Sequence, residues 1–178
     1  MRRTAVFLTI AAITPMFLAA CDDSSNSVIP QTNAAVSMVD ACDSASFNAG
    51  IAPGTCTKAG GTTLASFNAE LSATHSVSAW HFDPSALTIR SGDRIVATNN
   101  GGEEHTFTEV AAFGGGVVPA LNTASGNTTE TPECAETTLA DHVKPGQTFT
   151  TDAETAVGTH FYQCCIHPWM RTTVTVTG

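Results

Sequence analysis

From about Thr62 onward, short apolar and β-branched runs are separated by clusters of turn residues, and no long apolar stripe recurs at helical spacing. The runs that read as strands are Leu64–Glu70, Ser76–Phe82, Ala86–Arg90, Arg94–Asn99, Thr106–Val110, Gln147–Thr151, Gly158–Cys164 and Thr172–Thr177. Asp83-Pro84, Ser91-Gly92-Asp93, Asn99-Asn100-Gly101-Gly102 and Lys144-Pro145-Gly146 supply the turns between them. The run Thr172-Thr173-Val174-Thr175-Val176 alternates, so one face packs and the other meets water. This pattern predicts an all-β sandwich or barrel over 62–178. The stretch from Ala111 to His142 exceeds any hairpin loop. With Gly114-Gly115-Gly116, Pro119, Asn127 and Pro132 in it, the stretch reads as an irregular excursion carrying a short helix.

Upstream the pattern fades. Residues 21–61 are rich in Ser, Ala, Asn, Thr and Gly with few large apolar side chains, which predicts a tether leading into a loose N-terminal extension. Within it, Ser37 to Asp43 could wind into a short helical turn. Residues 1–20 are different again: Arg2 and Arg3 precede an apolar stretch from Ala5 to Leu18, and Leu18-Ala19-Ala20 lead into Cys21. That is the layout of a secretory signal, too short for a spanning helix. Leu18-Ala19-Ala20-Cys21 also resembles a bacterial lipobox. The resemblance implies a lipid on Cys21, a mature chain beginning there, and an exported protein anchored to the membrane on its periplasmic side.

Charge narrows the function classes. Seven Lys and Arg against sixteen Asp and Glu give −9, and removal of Arg2 and Arg3 with the signal leaves five cations and a charge of −11. Nucleic-acid binding needs a basic stripe to displace counterions, so that class is excluded. Six cysteines, Cys21, Cys42, Cys56, Cys134, Cys164 and Cys165, lie on a chain bound for an oxidising compartment where disulfides persist.

The chemistry concentrates in Gly158-Thr159-His160-Phe161-Tyr162-Gln163-Cys164-Cys165-Ile166-His167-Pro168-Trp169-Met170. A strand delivers Cys164, and His167 and Met170 follow at +3 and +6. A thiolate, an imidazole and a thioether on one tight loop form a soft nitrogen-and-sulfur set suited to copper rather than to Mg²⁺ or Ca²⁺. A second imidazole is available at His105, in Glu103-Glu104-His105-Thr106-Phe107. The pattern Gly-Thr-x-x-Tyr-x-Cys-x-x-His-x-x-Met resembles the ligand loop of the cupredoxins, the small blue copper proteins of plastocyanin and amicyanin type. Phe82-Asp83-Pro84, Leu87-Thr88-Ile89, Gly92-Asp93-Arg94-Ile95-Val96, Asn99 and His105-Thr106-Phe107 resemble the family's first ligand region.

The resemblance covers about 75–178. It implies a cupredoxin-like Greek-key β-sandwich binding one type 1 copper through His105, Cys164, His167 and Met170. Cys164 is preferred over Cys165 because the Tyr-x-Cys register selects it and strand alternation puts it on one face with Tyr162. Plastocyanin and amicyanin carry Pro immediately before the second histidine, where this chain has Ile166. Ile166 keeps its N–H, which predicts a hydrogen bond from that amide to the Cys164 sulfur. Four cysteines then remain for bridges, with three possible connectivities. Cys42–Cys56 with Cys134–Cys165 is the pairing that shields Cys165 from a neighbouring redox metal.

His75, His81, His142 and His160 lack ligand spacing and read as surface or strand histidines, while Tyr162 and Trp169 pack around the loop. With every candidate ligand in place, there is no open coordination for turnover. The expectation is therefore an electron-transfer protein rather than an enzyme, without a small-molecule substrate. The resemblance further implies that the edge of His167 lies near the surface, where a redox protein docks; the acidic charge suits a basic, cytochrome- or oxidase-like partner. The alternative is a periplasmic copper carrier or buffer lipoprotein. The scarcity of Met in the mature chain, Met38 and Met170 alone, speaks against it.

Overall fold

The computed structural model describes residues 31–178, and these form one compact unit. The signal, Cys21 and the first part of the tether lie outside the described residues. Among the described residues no helix is long and apolar enough to cross a membrane. The chain runs β1 (Asn33–Val39), α1 (Ser44–Gly50), α2 (Leu64–Thr74), β2 (His81–Asp83), β3 (Ala86–Arg90), β4 (Arg94–Asn99) and β5 (Thr108–Val110). After these come α3 (Pro119–Ala124), α4 (Pro132–Ala135), a 3₁₀ turn at Leu139–Asp141, β6 (Thr148–Thr150), β7 (Gly158–Gln163) and β8 (Arg171–Thr177).

Two four-stranded sheets result, ordered β2-β1-β4-β6 and β3-β8-β7-β5, so the expected β-sandwich is present. In the first, β1 runs parallel to β4, with Val36 opposite Ala97 and Met38 opposite Asn99. In the second, β7 and β8 form an antiparallel pair, with Gln163 opposite Arg171, and β3 lies parallel to β8. Their inward residues, among them Val36, Met38, Phe82, Ile95, Ala97, Tyr162, Val174 and Val176, make the shared core.

Four expectations are corrected. The stretch after Gln31 is not a loose extension: β1 sits between β2 and β4, burying Val36 and Met38 at alternate positions. The expected helical turn at 37–43 does not form: the strand runs through Val39, and its period-2 pattern is only two apolar residues deep. Leu64–Glu70 is helix rather than strand. Thr63 caps it by accepting from Ser66 N, and Phe67 and Leu71, four apart, bury one face. The strand expected over 76–82 starts only at His81, because a turn closed by Trp80 N to Val77 O (2.9 Å) tucks Trp80 inward. There Trp80 meets Phe47 and Phe67 at ring separations of 5.8 and 4.8 Å. This aromatic cluster joins α1 and α2 to the core.

The excursion holds two short helices and the 3₁₀ turn. The expected disulfide pairing, Cys42–Cys56 and Cys134–Cys165, is found, leaving Cys164 as a free, buried thiol. Arg171 also ties the excursion down: it donates to Pro168 O (2.7 Å) and Asn127 Oδ1 (2.6 Å) and lies 4.8 Å over the Phe113 ring.

Candidate metal centre

The end of β7 and the start of β8 are bridged by a loop closed on itself. Cys164 N donates to Met170 O (3.0 Å) and Met170 N to His167 O (2.9 Å). His105 comes from the segment after β4, which is pinned by Asn99. The buried Asn99 amide donates to Glu103 O and Val143 O, both at 2.7 Å, and its Oδ1 accepts from Gly101 N at 2.8 Å. His105 also pairs with Val143 through the backbone in both directions.

These two segments bring His105, Cys164 and His167 together, all buried. His105 Nδ1 lies 3.8 Å and His167 Nδ1 3.9 Å from Cys164 Sγ. An ion bonded at about 2.0 Å to nitrogen and about 2.3 Å to sulfur holds such a pair about 3.7 Å apart at trigonal angles and about 3.5 Å apart at tetrahedral ones. The spacing is close to that of three donors sharing one metal ion. Two imidazoles and a thiolate, with the fully buried thioether residue Met170 on the same loop, form a donor set that copper fits.

The thiolate is also prepared by the protein alone. Burial would raise the Cys164 pKa, but the facing His105 and His167 outweigh it and hold the thiol well below its ordinary value. Two backbone amides, Thr106 N and His167 N, donate to Sγ, each at 3.4 Å. The donor expected from Ile166 is not among them. The loop turns so that the amide three residues after the cysteine points back to Sγ, and His167, not Ile166, occupies that position.

Each imidazole has a carboxylate behind it, and sequence reasoning found neither. His105 Nε2 meets Asp40 Oδ2 at 2.9 Å, with both side chains fully buried. Asp40 also accepts from Gly102 N (2.7 Å), Glu103 N (3.0 Å) and Cys42 N (3.1 Å). The approach demands glycine at 101, since a Cβ there would lie 1.9 Å from Asp40 Oδ2. Burial opposes charge on both partners. The Asp40 hydrogen bond and the Cys164 thiolate nonetheless carry the His105 pKa up to about 9, and Asp40 is driven far below the usual carboxylate range. Behind His167 stands Glu103, with Oε2 3.6 Å from Nε2 and held by Trp80 Nε1 at 2.8 Å. Burial raises the Glu103 pKa against the opposing pull of His167.

His167 lies just beneath the surface, with 3% of the residue exposed, on the wall of a cleft. Trp169 packs edge-on to its ring at 5.5 Å. Pro53, Gly54 and Thr55, from the disulfide loop between Cys42 and Cys56, line a cleft of about 350 Å³ over His167 with Glu103, Glu104 and Ile166. An adjoining apolar cavity of about 250 Å³ is lined by Phe47, Ile51, Phe67, Val118 and Leu121. Of the remaining histidines, His75, His81 and His142 bond Ala124 O, Ser78 O and Glu104 respectively, while His160 joins two carboxylates.

No family model and no curated protein matches the chain. Among solved structures it is similar to a purple cupredoxin from Nitrosopumilus maritimus, at 15% identity over 81% of this chain and 99% of that one, with a TM-score of 0.45. An amicyanin variant in the Cu(I) state is 20% identical over 55% of this chain and 73% of that one, with a TM-score of 0.37. Oxidised plastocyanin from Dryopteris crassirhizoma is 21% identical over 55% and 89%, with a TM-score of 0.37. The fold is a two-sheet β-sandwich. Its two four-stranded sheets carry the Cys-x-x-His-x-x-Met loop between the last two strands.

Proposed function

We propose that this chain is an electron-transfer protein that binds one type 1 copper through His105, Cys164, His167 and Met170. The observation that carries the reading is the pair of imidazole Nδ1 atoms 3.8 and 3.9 Å from a buried thiolate that two backbone amides already hold. When bound, copper supplies a one-electron Cu(I)/Cu(II) couple.

The protein's own part is to keep the donors fixed through both states. Asp40 sets the ring orientation of His105 and keeps Nε2 occupied, so that Nδ1 faces the thiolate. The Thr106 and His167 amides draw charge from Sγ, which favours the reduced state and raises the potential. The Cys134–Cys165 bridge keeps the neighbouring thiol out of reach of the metal. Burial of all four side chains excludes water, so reorganisation on transfer is small.

Electrons pass to the partner through the cleft where Thr55, Glu103 and Ile166 cover His167, and the acidic mature chain attracts a basic redox protein there. Export and a lipid on Cys21 hold the protein at the membrane.

Voltammetry of the copper-loaded full chain tests the function. A reversible one-electron wave lost in His105→Ala supports it, and copper binding without a reversible wave refutes it. Incorporation of labelled fatty acid, abolished by Cys21→Ser, tests the anchor; an unlabelled wild-type chain refutes it.

A further inference from the structure

At the far side of Tyr162 a second group of metal-type donors converges: Glu109 on β5, Glu154 in the segment before β7, and His160 on β7. One donor atom from each lies within 4.8 Å of the others. His160 Nδ1 is 2.6 Å from Glu109 Oε1 and 3.8 Å from Glu154 Oε2. We propose that these three side chains form a second metal site, separate from the thiolate centre, that takes a divalent ion of the zinc class.

The outer contacts are arranged for that use. The other ring nitrogen, Nε2, is 2.7 Å from Ala156 O, so it carries the proton in the neutral ring and leaves the Nδ1 lone pair aimed at both carboxylates. Glu154 is held by Tyr162, whose hydroxyl donates to Oε1. The Glu154 side chain is nine-tenths buried, and its Oε2 faces His160 Nδ1 at 3.8 Å on the wall of a cavity. Two carboxylates converging on one imidazole repel each other, and a cation between them offsets that repulsion.

Ligands bonded at about 2.0 Å around a tetrahedral ion stand about 3.3 Å apart. The observed 2.6 and 3.8 Å bracket that value, so these two pairs need shifts of about 0.7 and 0.5 Å, the first within reach of the half-exposed Glu109. In the metal-free protein a proton on Nδ1 holds the cluster together. The ion replaces it, the proton leaves to solvent, and two carboxylates balance the doubly charged ion.

One nitrogen and two oxygens form a borderline set, harder than the thiolate centre and suited to Zn²⁺. A cavity of about 450 Å³, lined by Phe107, Phe149, Asp152 and the cluster itself, leaves room for water at the remaining positions. The adjoining cleft is lined by Glu133, Glu136 and Asp141, which add negative potential.

The inference does not rest on copper binding, and its test removes the thiolate from competition. Zn²⁺ alone is titrated calorimetrically into the full chain carrying Cys164→Ser. One saturable site is expected, with X-ray absorption showing one imidazole and carboxylate oxygens. Adding His160→Ala or Glu154→Gln should weaken it by about 100-fold or more, beyond the loss typical of an outer contact. Glu109→Gln, at a half-exposed position that leaves the fold intact by circular dichroism, should weaken it at least about tenfold. Absence of binding tighter than about 1 mM in the Cys164→Ser chain, or binding unchanged by Glu109→Gln and His160→Ala, overturns the proposal.

Discussion

Replacing Asp40 should be among the most damaging single changes in this protein, although Asp40 meets His105 only at Nε2, on the side away from Cys164. Four donors converge on its carboxylate: the amides of Gly102, Glu103 and Cys42 and the Nε2 of His105, at 2.7, 3.0, 3.1 and 2.9 Å. The side chain is fully buried, so water cannot take its place. Asp40→Ala orphans all four donors. At the low end of about 1 kcal/mol for each buried donor left unpaired, the loss is about 4 kcal/mol. Asp40→Asn keeps one oxygen for the three donors on Oδ2 but turns an NH₂ group toward Cys42 N–H, costing about 1–3 kcal/mol.

Urea unfolding of the metal-free chain measures both variants. The pH profile adds a second reading. The folded pKa of Asp40 lies below its ordinary 3.8, because the His105 and amide hydrogen bonds outweigh burial. Its stabilisation is therefore complete above that value and is lost as pH falls through the folded pKa. Asp40→Asn should flatten the acid limb of the curve. Copper affinity should fall by about 10- to 100-fold, the usual loss for an outer partner of a ligand histidine. An Asp40→Ala chain within about 1 kcal/mol of wild type would refute the reasoning.

Gly116→Ala should cost about 1–3 kcal/mol by overpacking. A Cβ at 116 would sit 1.9 Å from Cys165 O, so the ligand loop must move; denaturation and the visible spectrum of the copper-loaded protein should both report it. Removing the Cys134–Cys165 bridge with Cys134→Ser and Cys165→Ser together should cost about 3.5 kcal/mol, from the entropy of a loop spanning 31 positions, as read by urea unfolding under oxidising conditions. The His160 pKa is raised above 6.5, chiefly by the Glu109 hydrogen bond and then by Ala156 O. Its stabilisation of the metal-free fold is therefore complete below about pH 6.5 and fades as pH rises through the folded value. Thermal midpoints of His160→Gln should lack that slope, and a slope equal to wild type would contradict the assignment.

The thiolate loop was legible because its chemistry is local: Cys164, His167 and Met170 lie within seven consecutive positions, and the strand and turn around them have strong short-range signals. The strands at 86–90 and 94–99 were legible for the same reason. What was missed depends on distant pairing. β1 is rich in Ser, Ala and Asn, with two buried apolar residues, and becomes a strand only by lying against β4 some sixty positions later. Asp40 acts on His105 across 65 positions, and nothing in its own neighbourhood distinguishes it from a loop aspartate. The helix at 64–74 did carry signals, Thr63 as a cap and the Phe67/Leu71 spacing, but one short apolar pair is easily mistaken for a strand. Burial of His167 follows from the Cys42–Cys56 loop and α3 closing over it, an arrangement no local pattern encodes.

The visible spectrum of the full chain titrated with Cu(II) tests the central claim most directly. An intense thiolate-to-copper band is expected that saturates at one equivalent, is abolished by Cys164→Ser, and survives Cys134→Ser with Cys165→Ser. The absence of that band, or its persistence without the Cys164 thiol, would contradict the assignment of this centre.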